Sequence, residues 1–320
     1  MLVLNAEEVR ARAPLPALIA SLREAFRGDC VAPVRQVVKV PGGAKERLFL
    51  SMPAFASKGG GIVKLVTVFP DNAREGIPTV QAALVVFSQR GTPVALLDGT
   101  TVTYLRTGAA SALASTYLSR EDSAHLVVIG TGGLAPYLAM AHASVRPIRR
   151  ISVCGRTAPR AALTAAAVRS LVAQEVEVIV ADSVEAAVNT ADIVSCATSS
   201  STAVLAGKWL PAGVLVDLVG SFSPATREAD DEVVRRSRIF VDTFAGALTE
   251  AGDLLDPLSR GVIAREQIEG ELADLVTGRV RGRLLRDEIV MFKSVGTAIE
   301  DLAAGQMIVA RAIGGAEEHF

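Results

Sequence analysis

Cysteine is scarce in the sequence. Only Cys30, Cys154 and Cys196 occur among 320 residues, far apart and without a C-x-x-C spacing. An odd count with no pairing pattern suits a reducing compartment rather than a disulfide framework. The first residues, MLVLNAEEVR, bring acids where the apolar core of a signal peptide should continue, so no signal peptide is expected. We therefore expect a cytoplasmic protein.

An excess of charge of either sign is also missing. The chain has 33 lysines and arginines against 34 aspartates and glutamates, which gives a formal net charge of −1. A chain without a global field is not suited to bind nucleic acid or an anionic membrane surface. No segment approaches the roughly 18 uninterrupted apolar residues that a membrane span needs. Neither nucleic acid nor membrane is therefore expected as a partner.

Histidine is equally rare, and hydrolase and metal motifs are absent. His125 opens a strand-like run, His142 falls inside a predicted helix and His319 lies at the tail. Each is expected to be structural or solvated rather than a general base. The sequence has no H-E-x-x-H, no G-x-S-x-G and no cluster of metal ligands. These absences disfavour a metalloenzyme and a serine hydrolase, and no metal is expected.

Half of the residues are hydrophobic, which suffices for one large domain or two ordinary ones. Apolar residues at helical spacing predict a helix from Leu15 to Phe26. Short β-type runs follow, and two of them, ending at Phe87 and starting at Pro93, predict a hairpin. We therefore expect the first region to be an α+β domain with a largely antiparallel sheet. A helix over 108–118 is expected to lead out of it.

From His125 onwards the pattern changes. Compact apolar runs such as HLVVIG, RRISVCG and GVLVDLVG alternate with helical segments. This alternation predicts a parallel, doubly wound sheet, that is, an α/β domain of the Rossmann type. We place this domain at residues 119–290. The segment from Met291 to Ala312 is expected to form an amphipathic helix, because its apolar residues recur at helical spacing.

A glycine-rich turn joins the first strand of this region to its helix. The run GTGGLA at 130–135 is a G-x-G-x-x-A motif in the required place. Gly130 permits a tight turn, Gly132 lets the backbone approach a pyrophosphate, and Ala135 lets the helix pack closely on the strand. Glycines often only make turns, but the strand before this motif and the helix after it favour a dinucleotide site.

The end of the second strand bears on the choice of cofactor. An NAD-specific site usually places an acid there, about 20 residues past the glycines, to bind the ribose 2′-hydroxyl. This sequence has Arg156 and Thr157 instead, with Arg160 four residues past Arg156. Arg156 is suited to pair with a 2′-phosphate, although an ordinary exposed arginine at a strand end is the alternative. We therefore expect NADPH to be preferred, with NADH as the second choice.

Three cations interrupt otherwise apolar segments of the first domain. Lys64 lies within GIVKLVTVFP, Arg106 within YLRTGAASA and Arg35 shortly before VVKV. A buried cation needs an anionic partner or a ligand, because an unpaired buried charge is costly. Each one could be a surface residue or pair with an internal carboxylate. Together they predict a pocket that receives a carboxylate, for which arginine offers bidentate geometry.

Four segments carry a resemblance to a known family. GIVKLVTVFPDNAREGIPTVQAALVVF, LLDGTTVTYLRTGAASALAS, VIGTGG and DEIVMFKSVGTAIEDLAA strongly resemble the ornithine cyclodeaminase/μ-crystallin family. The likeness runs along nearly the whole chain. It implies a homodimer in which the antiparallel domain, residues 1–118 with 291–320, dimerises and holds the substrate. The Rossmann domain would hold the cofactor.

The resemblance also implies roles for individual residues. Lys64 and Arg106 would face the substrate as the catalytic residues, and Arg35 would bind its carboxylate. The expected substrate site comprises Arg35, Met52, Lys64, Thr79 and Arg106. The expected cofactor site comprises Thr107, Gly130, Thr131, Gly132, Gly133, Leu134, Arg156, Thr157, Arg160, Ala197, Thr198, Val219 and Ser294.

One departure from the family pattern bears on the reaction. Cyclodeaminases carry an acid in the loop after the fifth Rossmann strand, within a VGxDxPGK-like motif, and that acid handles the substrate amine. Phe222 stands there in this sequence and cannot act as a base, although Glu228 or Asp230 could substitute. The stretch GSFSPATREADDE looks like that of the Δ1-pyrroline-2-carboxylate/Δ1-piperideine-2-carboxylate reductases.

We therefore expect an NAD(P)H-dependent ketimine reductase. Its substrate would be a small cyclic imino acid: Δ1-pyrroline-2-carboxylate, giving L-proline, and the six-membered homologue, giving L-pipecolate. Lys64 or a water would protonate the ring nitrogen. The enzyme alternatives are an ornithine cyclodeaminase and an alanine dehydrogenase on the same scaffold. The non-enzyme alternative is a protein that binds a cofactor or small molecule, as μ-crystallin does in part.

Overall fold

The computed structural model of the chain describes residues 1–57 and 59–314. The expectation for His319 and the residues 315–320 of the expected first domain lie outside the described residues. Within them, no helix combines the length and the hydropathy that crossing a lipid bilayer requires.

The helices of the described residues are α1 (Ala6–Arg12), α2 (Leu15–Arg27), α3 (Gly99–Leu118), α4 (Ala135–Val145), α5 (Ala158–Arg169), α6 (Val184–Val188), α7 (Asp231–Arg236), α8 (Phe244–Glu250), α9 (Gly252–Ser259), α10 (Leu272–Thr277) and α11 (Ala298–Ala312). The strands of the same residues are β1 (Leu2–Leu4), β2 (Cys30–Val31), β3 (Gln36–Val40), β4 (Arg47–Ala56), β5 (Gly61–Val68), β6 (Val80–Phe87), β7 (Pro93–Asp98), β8 (His125–Ile129), β9 (Arg150–Cys154), β10 (Glu177–Val180), β11 (Ile193–Cys196), β12 (Leu215–Leu218), β13 (Ser237–Val241), β14 (Ile268–Glu271) and β15 (Ile289–Lys293). Short 3₁₀ helices cover Pro70–Glu75, Gly207–Trp209 and Arg265–Gln267.

The chain forms two compact units. Unit 1 comprises Met1–Thr107 and Thr297–Phe320, and unit 2 comprises Gly108–Gly296. The domain limits expected from the sequence, 118/119 and 290/291, differ from the limits of these units and stay a prediction.

Unit 1 contains a seven-stranded sheet in the order β1-β7-β6-β5-β4-β2, with β3 also pairing with β4. The short strand β1 pairs with β7 in parallel, and β2 to β7 pair with each other antiparallel. The predicted hairpin is confirmed as β6 and β7. The predicted helix at Leu15 is confirmed as α2, whose apolar face is buried. A largely antiparallel α+β unit therefore occupies the region where the sequence predicted one.

Helix α11 packs on β4, β5 and β6 and against α2. Small residues allow this close approach: a Cβ added at Gly305 would lie only 3.1 Å from Leu84 Cδ2 on β6. The helix begins directly after Thr297, whose side chain accepts a hydrogen bond from Ile299 N. Its first turn carries Glu300 and Asp301, and both side chains are completely buried. The packing of α11 thus brings two carboxylates into the interior of unit 1.

Unit 2 contains an eight-stranded, wholly parallel sheet in the order β10-β9-β8-β11-β12-β15-β13-β14. From β8 the chain moves outward through β9 and β10, and it then crosses to β11 on the other side of β8. The direction of winding therefore reverses between β8 and β11. In open parallel sheets the ligand binds at such a reversal, outside the carboxyl ends of the strands. The predicted Rossmann-type α/β fold is confirmed.

The expected helix from Met291 to Ala312 is wrong at its start. Residues 291–293 belong to β15, which lies between β12 and β13 inside the parallel sheet. All five residues of β15 are buried, and a strand buried on both faces lacks the alternation that separates it from a buried helix. The helix expected over 108–118 also begins earlier, at Gly99.

Candidate active site

Lys64 lies in the middle of β5 and is only 1% exposed. Its strand neighbours are apolar, since Lys64 pairs with Met52 on β4 and with Leu84 on β6. Its Nζ lies 2.8 Å from Asp301 Oδ1 on α11, and Asp301 is fully buried. The lysine within an apolar strand is thus a buried cation with a carboxylate partner.

Arg106 lies on α3 and meets the same turn of α11. Its Nε donates a hydrogen bond of 3.1 Å to Asp301 Oδ1, and its Nη1 donates one of 2.5 Å to Glu300 Oε2. Arg106 is 4% exposed. One oxygen of Asp301 therefore accepts from both Lys64 and Arg106.

Arg35 completes the group. It is half-buried directly before β3, and its positive charge lowers the pKa of both Lys64 and Asp301. We call Arg35, Lys64, Arg106, Glu300 and Asp301 the cation cluster. It holds three basic and two acidic side chains, so one positive charge is in excess when Lys64 is protonated. Such a cluster is complemented by one further carboxylate.

The protonation of Lys64 is finely balanced. Burial and the charge of Arg106 lower the pKa of Lys64 from 10.5 to about 7, although Asp301 acts in the opposite direction. Burial pushes the pKa of Asp301 upward, but Lys64 and Arg106 outweigh it and hold that pKa below its usual value. Lys64 can therefore gain or lose a proton near neutral pH while Asp301 stays ionised.

The two other residues expected at the substrate, Met52 and Thr79, lie at different distances from Lys64. Met52 is buried beside Lys64, as its Cα partner on β4. Thr79 directly precedes β6 and is half-buried, five positions along the chain from Leu84, the partner of Lys64. At about 3.3 Å per strand residue this is roughly 17 Å. Unit 1 therefore brings Met52 to the cation cluster and does not bring Thr79 there.

The glycine loop of unit 2 has the geometry of a phosphate-binding turn. Gly130 has φ of +135°, and a Cβ there would lie 2.4 Å from Ala197 O, so only glycine fits. A Cβ at Gly132 would meet nothing within 4 Å, which leaves the backbone open on that side. Gly133 and Leu134 complete the turn, and α4 begins at Ala135. These features fit the pyrophosphate of a dinucleotide.

Backbone hydrogen bonds join the carboxyl ends of neighbouring strands at the edge of the sheet where this loop lies. Ala197 N donates to Ile129 O at 2.8 Å, Val219 N to Cys196 O at 2.9 Å, and Ser294 N to Leu218 O at 3.1 Å. The expected residues Ala197, Val219 and Ser294 thus follow β11, β12 and β15 along one edge of the sheet. Because ligands of parallel sheets bind at this edge, these residues are placed to line a cofactor site.

The end of β9 lies beside the glycine loop. Gly130 N donates a 2.9 Å hydrogen bond to Cys154 O, and a Cβ at Gly155 would lie 2.5 Å from Thr131 Cγ2. Arg156 and Thr157 follow, and the Thr157 side chain makes no capping hydrogen bond to α5. Arg156, Thr157 and Arg160 are all exposed. They are therefore available to a ligand that extends from the glycine loop past β9.

Glu228, which the sequence suggested as an alternative base, holds two loops at this edge of the sheet. Glu228 is fully buried, and its two carboxylate oxygens accept hydrogen bonds from Thr198 N and Oγ1, Gly220 N and Ser221 N at 2.6–3.2 Å. Asp230 caps α7 by accepting from Val233 N. Neither acid is therefore placed to act as the substrate base. Phe222 is half-buried and packs against the apolar core of unit 2.

Sequence reasoning missed Glu300 and Asp301 altogether. The signal was present, because two adjacent acids interrupt the apolar run of VGTAIEDLAAGQMIVA. The argument used for Lys64, that a charge in an apolar segment needs a partner, applies equally to them. Asp242 was also missed: its Oδ2 accepts hydrogen bonds from Ser294 Oγ, Val295 N and Gly296 N. It fixes the turn in which Ser294 lies.

Known proteins are similar to this chain along nearly its whole length. The model of the ornithine cyclodeaminase/mu-crystallin family matches residues 1–316. A Delta(1)-pyrroline-2-carboxylate reductase of Colwellia psychrerythraea is 38% identical over 313 residues, which cover 97% of this chain and 98% of that protein.

Solved structures are similar over the same length. The Thermococcus litoralis Delta(1)-pyrroline-2-carboxylate reductase, in complex with NADH and L-proline, has a TM-score of 0.94 and 32% identity, covering 98% of each chain. An archaeal alanine dehydrogenase dimer with bound NAD has a TM-score of 0.90 and 27% identity, covering 98% of this chain and 96% of that one.

Proposed function

Because the chain belongs to the ornithine cyclodeaminase/mu-crystallin family, we propose that it is an NAD(P)H-dependent reductase that converts Δ1-pyrroline-2-carboxylate to L-proline. Relatives from Colwellia and Thermococcus carry the name of that reductase, and the latter binds NADH and L-proline. The observation on this chain that carries the proposal is the cation cluster, whose single excess positive charge suits a substrate with one carboxylate.

The cation cluster would bind the substrate through its carboxylate. Arg35 is the half-buried member, so it can close on a ligand at a smaller desolvation cost than the buried pair. Lys64 and Arg106 are already held by Asp301, which limits the freedom that they lose on binding. Such preorganisation favours an oriented substrate over a merely bound one. We assign Lys64 and Arg106 as catalytic, and Arg35 and Met52 as substrate-binding.

The reaction adds a hydride to the imine carbon and a proton to the imine nitrogen. When bound, NAD(P)H supplies the hydride. Lys64, whose pKa of about 7 is near the working pH, donates the proton to the ring nitrogen as an ammonium. It is left as a neutral amine and regains its proton from solvent. A group with a pKa close to the operating pH is the most effective general acid.

The cofactor would bind at the carboxyl edge of the parallel sheet in unit 2. Gly130, Thr131, Gly132, Gly133 and Leu134 would hold the pyrophosphate with backbone N–H groups. Arg156, with Thr157 and Arg160, would bind a 2′-phosphate, so we propose NADPH as the preferred cofactor. The expected roles of Ala197, Thr198, Val219 and Ser294 belong to the same proposal, and the expected role of Thr107 stays a prediction. Thr107 is buried as the last residue of the first segment of unit 1.

We also propose a homodimer, and unit 1 offers a surface for it. Strand β3 pairs with β4 along one edge and is exposed over nearly its whole length. Large apolar side chains are exposed on and around it, namely Val31, Val34, Val37, Val38 and Phe55. An uncovered apolar edge strand invites pairing with another chain. Light scattering should give a molar mass of about twice the 33.4 kDa chain mass. In Val38→Lys this molar mass should fall towards that of the monomer.

A cytoplasmic location is part of the proposal. Cys30, Cys154 and Cys196 are all free cysteines, and the latter two are buried. Free thiols persist where glutathione keeps them reduced. Fractionation of cells that produce the protein should place it with cytoplasmic markers, and recovery in a secreted or membrane fraction would contradict this part.

A substrate panel tests the proposed reaction. NADPH oxidation is followed with Δ1-pyrroline-2-carboxylate, Δ1-piperideine-2-carboxylate, and pyruvate plus ammonia, and ammonia release is followed with ornithine and NAD⁺. We expect kcat/KM for the five-membered imine to exceed that for pyruvate at least about 100-fold, or roughly 2.7 kcal/mol, with the six-membered imine as a second substrate. Faster turnover of pyruvate would indicate an alanine dehydrogenase instead.

A further inference from the structure

The cation cluster contains an acid that touches both basic residues assigned to catalysis. Asp301 Oδ1 lies 2.8 Å from Lys64 Nζ and 3.1 Å from Arg106 Nε. We propose that Asp301 is the positioning residue of this reaction, which holds the Lys64 ammonium and the Arg106 guanidinium in one fixed geometry. This inference rests on the proposed function, because it assigns Asp301 a role in the same site.

The geometry makes Asp301 the link between three elements. Lys64 comes from β5, Arg106 from α3 and Asp301 from α11. The position of α11 is itself fixed, because Gln306 Nε2 donates a 2.5 Å hydrogen bond to Gly59 O and Gly305 packs on Leu84. A carboxylate on a helix that is held in this way cannot shift together with a mobile lysine side chain. Lys64 and Arg106 are therefore oriented relative to each other through a single oxygen atom.

The charge of Asp301 matters as much as its position. Lys64 is packed against uncharged side chains of β4 and β6, Met52 and Leu84. The charged groups with the largest effects on its pKa are Arg106 from α3, Arg35 before β3 and Asp301 from α11. Burial and both arginines lower the pKa of Lys64, and Asp301 raises it. Without that carboxylate the pKa of Lys64 would fall further, and less of the ammonium would be present at pH 7 to donate a proton.

The neighbouring residue provides a matched control. Glu300 lies on the same turn of α11, is equally buried and contacts Arg106 Nη1 at 2.5 Å. It is not among the charges that most affect the pKa of Lys64. Glu300→Gln therefore removes a buried carboxylate from the same cluster without removing the partner of Lys64. Both variants lose a buried carboxylate, but only Asp301→Asn loses the partner of Lys64. Comparing them therefore separates the two effects.

The first measurement reports on Lys64 directly and needs no turnover. The chain has only six lysines, so protein labelled with [13Cε]lysine gives a simple NMR spectrum, in which Lys64→Met identifies the Lys64 signal. We expect this signal to titrate near pH 7 in the wild-type protein and in Glu300→Gln. In Asp301→Asn the midpoint should fall by about one pH unit or more, the usual effect of losing an adjacent opposite charge.

The second measurement is the pH profile of imine reduction by the same proteins. The decline of kcat/KM with rising pH should move to lower pH in Asp301→Asn, in step with the NMR midpoint. In Glu300→Gln, Arg106 loses its charged contact with residue 300, so KM should rise. The position of this decline should stay unchanged. A residue with a merely structural role would lower stability without moving either midpoint, and that result would overturn the inference.

A more conservative variant keeps the test decisive if Asp301→Asn fails to fold. Asp301→Glu retains the charge and displaces it by one methylene. The positioning role then requires a kcat about 10- to 100-fold lower, since displacements of this size at catalytic groups have such effects, and unchanged kcat and KM would overturn it. If the NMR midpoint of Lys64 shifts in Asp301→Asn but the wild-type protein does not reduce the imine, only the proposed function is refuted.

Discussion

Gly130 N donates a 2.9 Å hydrogen bond to Cys154 O, so the glycine loop after β8 and the segment after β9 start from the same point. Arg156 follows Cys154 by two residues and is exposed. In a bound dinucleotide the pyrophosphate and the adenosine ribose occupy these two places. The role proposed for Arg156 is therefore to favour a 2′-phosphate over a 2′-hydroxyl.

Arg156→Asp should move the cofactor preference from NADPH towards NADH. The new carboxylate would repel a 2′-phosphate and accept a hydrogen bond from a 2′-hydroxyl. We expect the ratio of the two kcat/KM values to change at least about tenfold, or 1.4 kcal/mol. Arg149→Asp is the matched control, because this exposed arginine precedes the opposite end of β9. A tenfold preference of the wild-type enzyme for NADH would refute the argument.

Lys64→Met should abolish most of the imine reduction without unfolding the protein. Methionine fills the apolar surroundings, and Asp301 keeps Arg106 as its partner. Loss of a general acid commonly costs about 10²–10⁴ in rate, so kcat/KM should fall by that factor while the Kd of NADPH stays the same. Lys208→Met, at an exposed position, should have wild-type activity. Near-normal activity of Lys64→Met would place the chemistry elsewhere.

The lowered pKa of Lys64 should also be visible in the pH dependence of stability. Lys64 titrates at about 7 in the folded protein and near 10.5 when unfolded. The unfolded chain therefore holds more protons between these values, and the free energy of unfolding must rise with pH across them. Denaturant titrations should show wild type gaining stability relative to Lys64→Met from pH 7 to 10. A flat difference would mean that Lys64 has an ordinary pKa.

The enzyme should release negligible ammonia from ornithine. Ring closure needs a base near the reacting carbon, Phe222 is not one, and Glu228 is committed to four hydrogen bonds inside unit 2. A positioned base contributes roughly 10²–10⁴ in rate. Phe222→Leu should retain imine reduction, since an apolar side chain is all that the position needs. Steady conversion of ornithine to proline at a kcat/KM comparable to imine reduction would contradict this assignment.

Glu228→Gln should weaken cofactor binding as well as stability. The carboxylate accepts hydrogen bonds from the loops after β11 and β12, and an amide nitrogen would face N–H donors instead. A lost charged hydrogen bond at a buried site costs about 1.5–3 kcal/mol. We expect a lower midpoint of unfolding and a higher Kd for NADPH. Asp230→Asn, which alters the cap of α7 and the hydrogen bond from Gly207 N, should affect stability and leave the Kd unchanged.

Local patterns were sufficient to predict most of the fold. The change from β-type runs to alternating strands and helices marked the two kinds of sheet, and the glycine loop followed from its place between β8 and α4. Strand β15 was missed because a strand buried on both faces has no period of two. Its apolar residues were assigned to the helix that follows.

The candidate site was predicted only in part, because its partners are distant in sequence. A cation inside the apolar strand β5 indicated a need for a carboxylate, but Asp301 lies 237 residues away from Lys64. Nothing local connects the two residues, and only the packing of α11 on the sheet brings them together. Glu228 shows the converse: its sequence position near Phe222 suggested a base, and its burial gives it a structural role.

The destination of the hydride tests the proposed reaction most directly. NADPH carrying deuterium at the transferable position of C4 is incubated with Δ1-pyrroline-2-carboxylate, and the product is examined by chiral chromatography, mass spectrometry and NMR. Direct transfer to the imine carbon predicts L-proline with a single deuterium at C2, formed in step with NADPH oxidation. Proline without deuterium at C2, or oxidation of NADPH without formation of proline, would contradict the assignment.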